Sequence, residues 1–363
     1  MKKCMFVILA MILATSTVFG AGDPESGKGD KPYIAVVSKG EQHDFWQQVR
    51  RGAVDASGDF DVAITFEGPP SESDVQIQVE MLNNAIAKAP VAIALAALDT
   101  TSVIDQLTEL QSKGIPVVGF DSGVPDAPAG SIVANASTNN YAAAGVAAEK
   151  MFEIIESDIS AATVSNPVKI VVMNQDAAGE SLLSRGKGFR DTMVTLIDEQ
   201  TSLSRSDIAV IGNPAYIAAD SPTRGRKVFI EMIVPASAAN TDAAAASSAM
   251  LNKVDDDSIL GVFCSNEATA KGILAATNDG ADLATMYDIV VIGYDAGAGQ
   301  KNAVRKGLFA GSITQDPYSI GYKAVELSYK AYMGEAVSDV DTGAKYYTAM
   351  NMDDADIAPL LYD

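Results

Sequence analysis

The chain has 363 residues, with 47 Asp and Glu against 26 Lys and Arg, and carries a formal net charge of −21 at pH 7. So acidic a chain, with no basic cluster to offset it, repels nucleic acid and anionic lipid surfaces, and both are excluded as partners. Hydrophobic residues make up 48% of it, so length and composition together allow two cores.

The N-terminus reads MKKCMFVILAMILATSTVFGAG. Lys2 and Lys3 form a positive start, Met5 to Ala14 an apolar stretch, and Val18 and Gly20 are small enough for a cleavage site. This pattern predicts a secretory signal peptide over 1–20, cut near Gly20, then a flexible linker over 21–31. The apolar run is too short to span a bilayer, and no later segment approaches that length, so no membrane insertion of the mature chain is expected. Cys4 precedes the apolar stretch, which argues against a lipid anchor. A soluble periplasmic protein is the expectation. Loss of Cys4 leaves Cys264 as a single thiol, read as a small buried hydrophobe at a strand end.

Strands and helices then alternate. YIAVVS (33–38) reads as a strand and Phe45 to Ser57 as a helix, followed by strand VAITF (62–66). Val75, Val79, Leu82, Ile86 and Ala89 recur at helical spacing. VAIALAAL (91–98) is a continuous apolar run, as a strand buried on both faces requires. A helix over 100–113 stops at Gly114, and strands PVVGFD (116–121) and SIVAN (131–135) close a first set. A second set runs through a helix over 141–156, strand 168–174, helix 181–200, strand 227–234 and an Ala-rich helix over 241–253. Strand 259–264, helix 267–278, strand 288–295, a short helix over 300–306 and strand 309–314 complete it. A long helix over 317–334 and a strand near 345–350 end the chain. Segment 201–226 lacks a clear period and reads as an excursion. Two runs of strand-helix units predict an α/β fold of two doubly wound parallel-sheet lobes.

Ligands of open parallel sheets bind beyond the carboxyl ends of the strands. Those ends carry polar groups here: Lys39 and His43, then Asp121, then Thr138 and Asn139. In the second set they carry Glu180, Ser181 and Arg185, then Asn266, Asp295 and Gln315. Phe45 and Trp46 stand at the first helix start, where flat rings can stack on the C–H faces of a sugar. Carboxylates and amides match hydroxyls that both donate and accept. The plainer readings are core packing for Phe45 and Trp46, and helix capping or turns for the Asp and Asn residues. Taken singly, each polar residue fits the plainer reading; the ring of them around an aromatic pair favours a cleft for a polar ligand.

F-W-x-x-V-x-x-G-A (45–53), VVGFD, S-R-G-K-G-F (184–189), VFCSNEATAKGIL (262–274), VVIGYDAG (290–297) and SITQDPYSIG (312–321) occur in that order. Over about residues 32 to 350 the chain resembles the ribose/galactose-type periplasmic sugar-binding proteins, the type I solute-binding proteins of ABC transporters. The resemblance implies two lobes joined by three hinge strands that close on one sugar or polyol, no cofactor, and an ABC transporter permease as partner, with a chemoreceptor or sensor as a further one. It implies an N-terminal lobe of 32–138 plus 316–346, a C-terminal lobe of 139–315 plus 347–363, and crossings near 136–139, 315–317 and 346–350. It puts His43, Phe45, Trp46, Asp121, Asn266, Asp295 and Gln315 at ligand-contact positions. Ser122, Leu183 and Ala238 depart from the ribose pattern, which points away from ribose itself.

Other classes fit less well. The lactose-repressor family, which shares the fold, needs an N-terminal helix-turn-helix where this chain has a signal-peptide pattern. One His, one mature Cys and no GxSxG or HExxH motif speak against an enzyme, although Asp121 and Asp295 could in principle form a glycosidase-like pair. A sensory receptor for a furanosyl signalling molecule is the alternative function.

Overall fold

The computed structural model describes residues 31–41, 43–217 and 222–362. The expected signal peptide, and the expected linker up to residue 30, lie outside the described residues.

The first set of elements is β1 (Tyr33–Val37), α1 (Asp44–Asp59), β2 (Ala63–Glu67), α2 (Val75–Ala87), β3 (Ala92–Leu95), α3 (Ile104–Ser112), β4 (Val117–Phe120) and β5 (Ile132–Ser137). The second is α4 (Asn140–Ser160), β6 (Val168–Met173), α5 (Glu180–Gln200), β7 (Ile208–Gly212), β8 (Val228–Ile233), α6 (Asn240–Leu251), α7 (Val254–Asp257), β9 (Ile259–Cys264), α8 (Glu267–Ala276), β10 (Val290–Tyr294), α9 (Ala298–Arg305) and β11 (Gly311–Gln315). The chain ends with α10 (Pro317–Tyr332), β12 (Val340–Asp341) and β13 (Ala344–Tyr347).

Two sheets result, in the orders β12-β5-β4-β3-β1-β2 and β13-β11-β10-β9-β6-β8-β7. Each contains the same five-strand parallel core with its first strand between the second and third. In the N-terminal sheet β1 pairs with β2 and β3, Val36 opposite Phe66 and Ala94. In the C-terminal sheet β6 pairs with β8 and β9, Val171 opposite Glu231 and Val262. Strand order reverses at β1 and at β6, and a crevice opens there beyond the carboxyl ends. Strands β3 and β4, AIAL and VVGF, are buried throughout, as their unbroken apolar runs require.

Helices cover the sheets by their small and apolar stripes. α1 buries Phe45, Trp46, Val49, Gly52, Ala53 and Ala56, a three-and-four spacing that presents one face. It lies so close to α10 that a Cβ on Gly52 would collide with the carbonyl of Tyr318, and one on Gly321 with that of Val49. This contact ties α10, which follows the second sheet in sequence, back onto the first.

The chain passes between the sheets three times: from β5 to α4 at 138–139, from β11 to α10 at Asp316, and from β12 to β13 at 342–343. The last crossing lies earlier than the expected 346–350. The two-residue strand β12 pairs with β5 in the first sheet, and β13 already pairs antiparallel with β11 in the second, Tyr346 opposite Ile313. So short a strand as β12 carries no readable period. Segment 201–226 is likewise more regular than its sequence suggests. β7 is the edge strand of the second sheet, parallel to β8, and among the described residues only the single 3-10 turn Pro214–Tyr216 stands between the two.

Candidate functional site

Both crevices face each other across one cavity of about 330 Å³, counted with the part open to solvent. That is the small end of the range for ligand pockets. Lys39, His43, Phe45, Trp46, Asp121, Arg185, Asn266, Asp295 and Gln315, all picked out in the sequence, line it together with Glu72, Leu182 and Glu267. Thr138, the tenth predicted residue, does not. It stands at the first crossing, and its hydroxyl donates to the Gly343 carbonyl at the third, 3.2 Å away. Asn139 caps α4 by accepting from the Ala142 amide.

Two aspartates occupy matching places. Asp121 follows β4, the fourth strand of one five-strand core, and Asp295 follows β10, the fourth of the other. Both have left-handed backbones, with φ of 55° and 78°. That region is uncommon for any residue with a Cβ but is tolerated by Asp and Asn. It is fixed by amides that donate back into the neighbouring strand, Asp121 to Ala136 O at 3.0 Å and Asp295 to Ile313 O at 2.6 Å. The turn aims each carboxylate into the cavity instead of onto a following helix, so neither serves as an N-cap.

Their surroundings differ. Asp295 Oδ1 accepts from Gln315 Nε2 at 2.7 Å and Oδ2 from the Glu267 amide at 3.0 Å, with the Arg185 guanidinium 3.9 Å off. Asp121 has a looser partner, Lys39 Nζ at 3.8 Å. Burial therefore dominates at Asp121. It pushes the carboxyl up to about 6 against the opposing pull of Lys39 and Arg185.

The aromatic pair is both core and wall. Trp46 is 2% exposed and Phe45 6%, and both belong to the first hydrophobic core. Their rings meet edge to face at 5.0 Å, and Trp46 meets Phe120 in the same way at 6.4 Å. Both still border the cavity, so the core and cleft readings describe the same side chains. Tyr362, near the chain end, lies 6.3 Å from Phe45 and accepts from the Ala296 amide through its hydroxyl.

Arg185 comes from α5 with its guanidinium carbon 3.8 Å from the centre of the Tyr294 ring. It donates to Asn140 Oδ1 at 2.8 Å and to the Ser265 carbonyl at 3.0 Å. Asn266 combines two roles. Its Oδ1 caps α8 by accepting from the Thr269 amide, while its Nδ2 donates to Gln175 Oε1. His43 stands at the N-cap position of α1 but makes no side-chain cap bond, and its Nδ1 is buried without a hydrogen-bond partner in the structure. The same holds for Gln315 Oε1. Buried polar atoms normally find partners, and both of these residues line the cavity.

Two acidic residues were missed in the sequence. Glu72 sits in the loop between β2 and α2, in a run of Pro, Ser and Asp that looks like ordinary turn chemistry. Burial would raise its carboxyl, but Lys39, His43 and bonds from Trp46 and Gln175 hold it down at about 2. Glu267 opens α8 beside the cap and pairs with Lys271 one turn on, and burial raises its carboxyl. A Glu in the first turn of a helix carries no local signal for a site, since the dipole explains it equally well.

The lobes touch directly around the cavity. Lys39 Nζ reaches Ser181 Oγ at 3.4 Å, the Ser181 amide reaches Ser122 Oγ at 3.4 Å, and the Thr100 amide donates to Ala178 O at 3.2 Å. Lys39 and Ser122 lie in the N-terminal lobe and Ser181 in the C-terminal one. Among the described residues no helix is long and apolar enough to cross a membrane.

Two sheets of identical core order with one polar cavity at both switch points define the type I periplasmic binding protein fold. The family model for the periplasmic binding protein domain matches residues 34–336, and the chain belongs to that family. It is 21% identical over 319 residues to the D-allose-binding periplasmic protein of Escherichia coli, an alignment covering 86% of this chain and 88% of that one. A solved structure from Brachyspira murdochii, described as an ABC transporter, LacI family transcriptional regulator, is 40% identical, with a TM-score of 0.74 over 92% of this chain and 99% of the other. An ABC transporter solute-binding protein from Agrobacterium vitis, solved with bound D-fucose, is 27% identical, with a TM-score of 0.73 over 91% of this chain and 100% of the other.

Proposed function

We propose that the chain is an extracytoplasmic solute-binding protein that captures one sugar or polyol between its lobes and delivers it to an ABC transporter permease. The observation that carries this reading is the pair Asp121 and Asp295, one from each sheet, aimed into a single small cavity walled by Phe45 and Trp46. Carboxylates accept from hydroxyls, the rings cover C–H faces, and Asn266, Gln315, Lys39 and Arg185 donate to ring and hydroxyl oxygens. The relatives named for D-allose and solved with D-fucose support a monosaccharide of this size. A ligand touching both lobes favours the state in which they are closed, and a permease can then distinguish loaded from empty protein by lobe geometry. No reaction on the sugar is required. The mature protein begins near Ala21, after export to the periplasm.

A thermal-shift screen against monosaccharides and polyols tests the proposal. The true ligand at a hundredfold excess over Kd stabilises the folded state by about 2.7 kcal/mol. Recovery of the sugar unchanged is the expected result. A chemically altered sugar would replace the binding-protein reading with an enzyme, and a shift with no sugar or polyol at all would end it.

A further inference from the structure

A chain of hydrogen bonds crosses the cleft beside the cavity. Trp46 Nε1 donates to Glu72 Oε1 at 2.7 Å. Gln175 Nε2, from the opposite lobe, donates to Glu72 Oε2 at 2.8 Å. Gln175 Oε1 in turn accepts from Asn266 Nδ2. Lys39 Nζ lies 4.0 Å from Glu72 Oε2 and balances its charge. Each carboxylate oxygen of Glu72 therefore holds one donor, and the two donors belong to different lobes. The loop carrying Glu72 also fits tightly over the end of β1, because a Cβ on Gly40 would come within 3.2 Å of Glu72 Cγ and 3.7 Å of Trp46 Nε1.

We infer that Glu72 and Gln175 form a latch that holds the lobes closed and, through the same bonds, sets the orientation of the Trp46 ring and the Asn266 amide toward the ligand. The inference rests on the binding-protein reading above for its ligand and on the bond chain for its mechanism. Glu72 is thus a positioning residue. With both oxygens engaged by protein donors, it acts on the ligand through Trp46 and Asn266. A carboxylate is required, because an amide in its place would turn an NH2 toward one of two N–H donors. The latch holds part of the sugar-free population closed as well, and with sugar bound its bonds must break before the ligand can leave, so it acts chiefly on the dissociation rate.

The test uses the full-length mature protein and the variants Glu72→Gln, Gln175→Leu and both together. Small-angle scattering of each, without and with the sugar found by the screen, reports lobe closure, and stopped-flow Trp46 fluorescence reports the rates. Both single variants should enlarge the radius of gyration of the sugar-free protein and raise the dissociation rate about tenfold, with the association rate changed less than about twofold. The double variant should be no worse than either single one, because each change breaks the same bond. Additive effects, or a radius and dissociation rate equal to wild type in Gln175→Leu, would overturn the latch. Loss of affinity in Glu72→Gln alone would make Glu72 a direct ligand contact and overturn it equally. If no sugar binds the wild-type protein but the variants still open it, the latch stands and the sugar reading fails.

Discussion

At the residue scale, Trp46 joins two demands that usually separate, a packed core and a cavity wall. Its edge-to-face contacts with Phe45 and Phe120 fix the ring, and the bond to Glu72 fixes its roll. Trp46→Ala removes both stacking area and one end of the cross-cleft bond chain, and the expected outcome is at least tenfold weaker sugar binding in calorimetric titration. As the single Trp, it should also report binding by a change in emission. Asp121 sets a pH dependence with a definite sign. Its folded carboxyl sits near 6, above the ordinary 3.8, because burial disfavours the charge. The native state therefore holds its proton more tightly than the unfolded chain, so this stability contribution is complete below about pH 4 and disappears as pH rises through about 6. Sugar hydroxyls that donate to the ionised form shift the balance the other way, so affinity should tighten as pH rises from 5 to 7. Asp121→Asn should remove both slopes, seen in melting curves and titrations at the two pH values. An unchanged pH profile in that variant would separate Asp121 from both effects.

At the element scale, the start of α8 does two jobs with one side chain. Asn266 caps the helix by its oxygen and keeps its nitrogen for the cleft. Asn266→Ala should cost about 1 kcal/mol of stability through the lost cap. Asn266→Asp restores an N-cap acceptor but not the Nδ2 donor, so it should recover the stability, measured by urea unfolding, while leaving sugar affinity reduced. Recovery of both would reduce Asn266 to a cap. The crossings form a second element-level device. The first crossing is tied to the third by Thr138 Oγ1 to Gly343 O and by the Asn139 amide to Asp341 Oδ1 at 3.1 Å. These bonds make those two segments bend together in the proposed closure. Thr138→Val should loosen that hinge and change scattering before it changes any cavity contact.

At the scale of the whole molecule, Glu72 and Asp121 pull the pH response in opposite directions. Glu72, held at about 2, lends stability that is complete above its ordinary 4.5 and is lost only as pH falls through about 2. Between pH 4 and 6, Asp121 is the one of these two whose stability contribution changes strongly, so the wild-type melting temperature should decline across that window. Sugar at saturation should flatten the decline, since it favours ionised Asp121. Scattering with saturating sugar should show the compact form, in which the contacts between Thr100 and Ala178 and between Ser73 and Ala238 close the rim.

Much of this architecture was legible without coordinates. Unbroken apolar runs such as 91–98 and 117–120 can satisfy their surface only as strands covered on both faces, and the helical spacing from Val75 to Ile86 admits one buried stripe, although Ala89, expected on it, lies past the end of α2 and is exposed. Polar residues placed just after such runs are carried to the carboxyl edge whatever the details, which is why nine predicted residues reach the same cavity. The sequence by itself therefore determined the alternation, the two-sheet plan and the strand-end residues, because all three rest on short-range periodicity. What only the tertiary structure decided depends on groups far apart in the chain. Glu72 becomes a site residue when Gln175, 103 positions on, closes over it. β12 becomes a strand when β5 receives it, and Thr138 is held at a crossing between the sheets, outside the cavity lining, by its bond to Gly343. Such contacts leave no period in a sequence, since the partners are chosen by how the two lobes meet and not by the residues on either side.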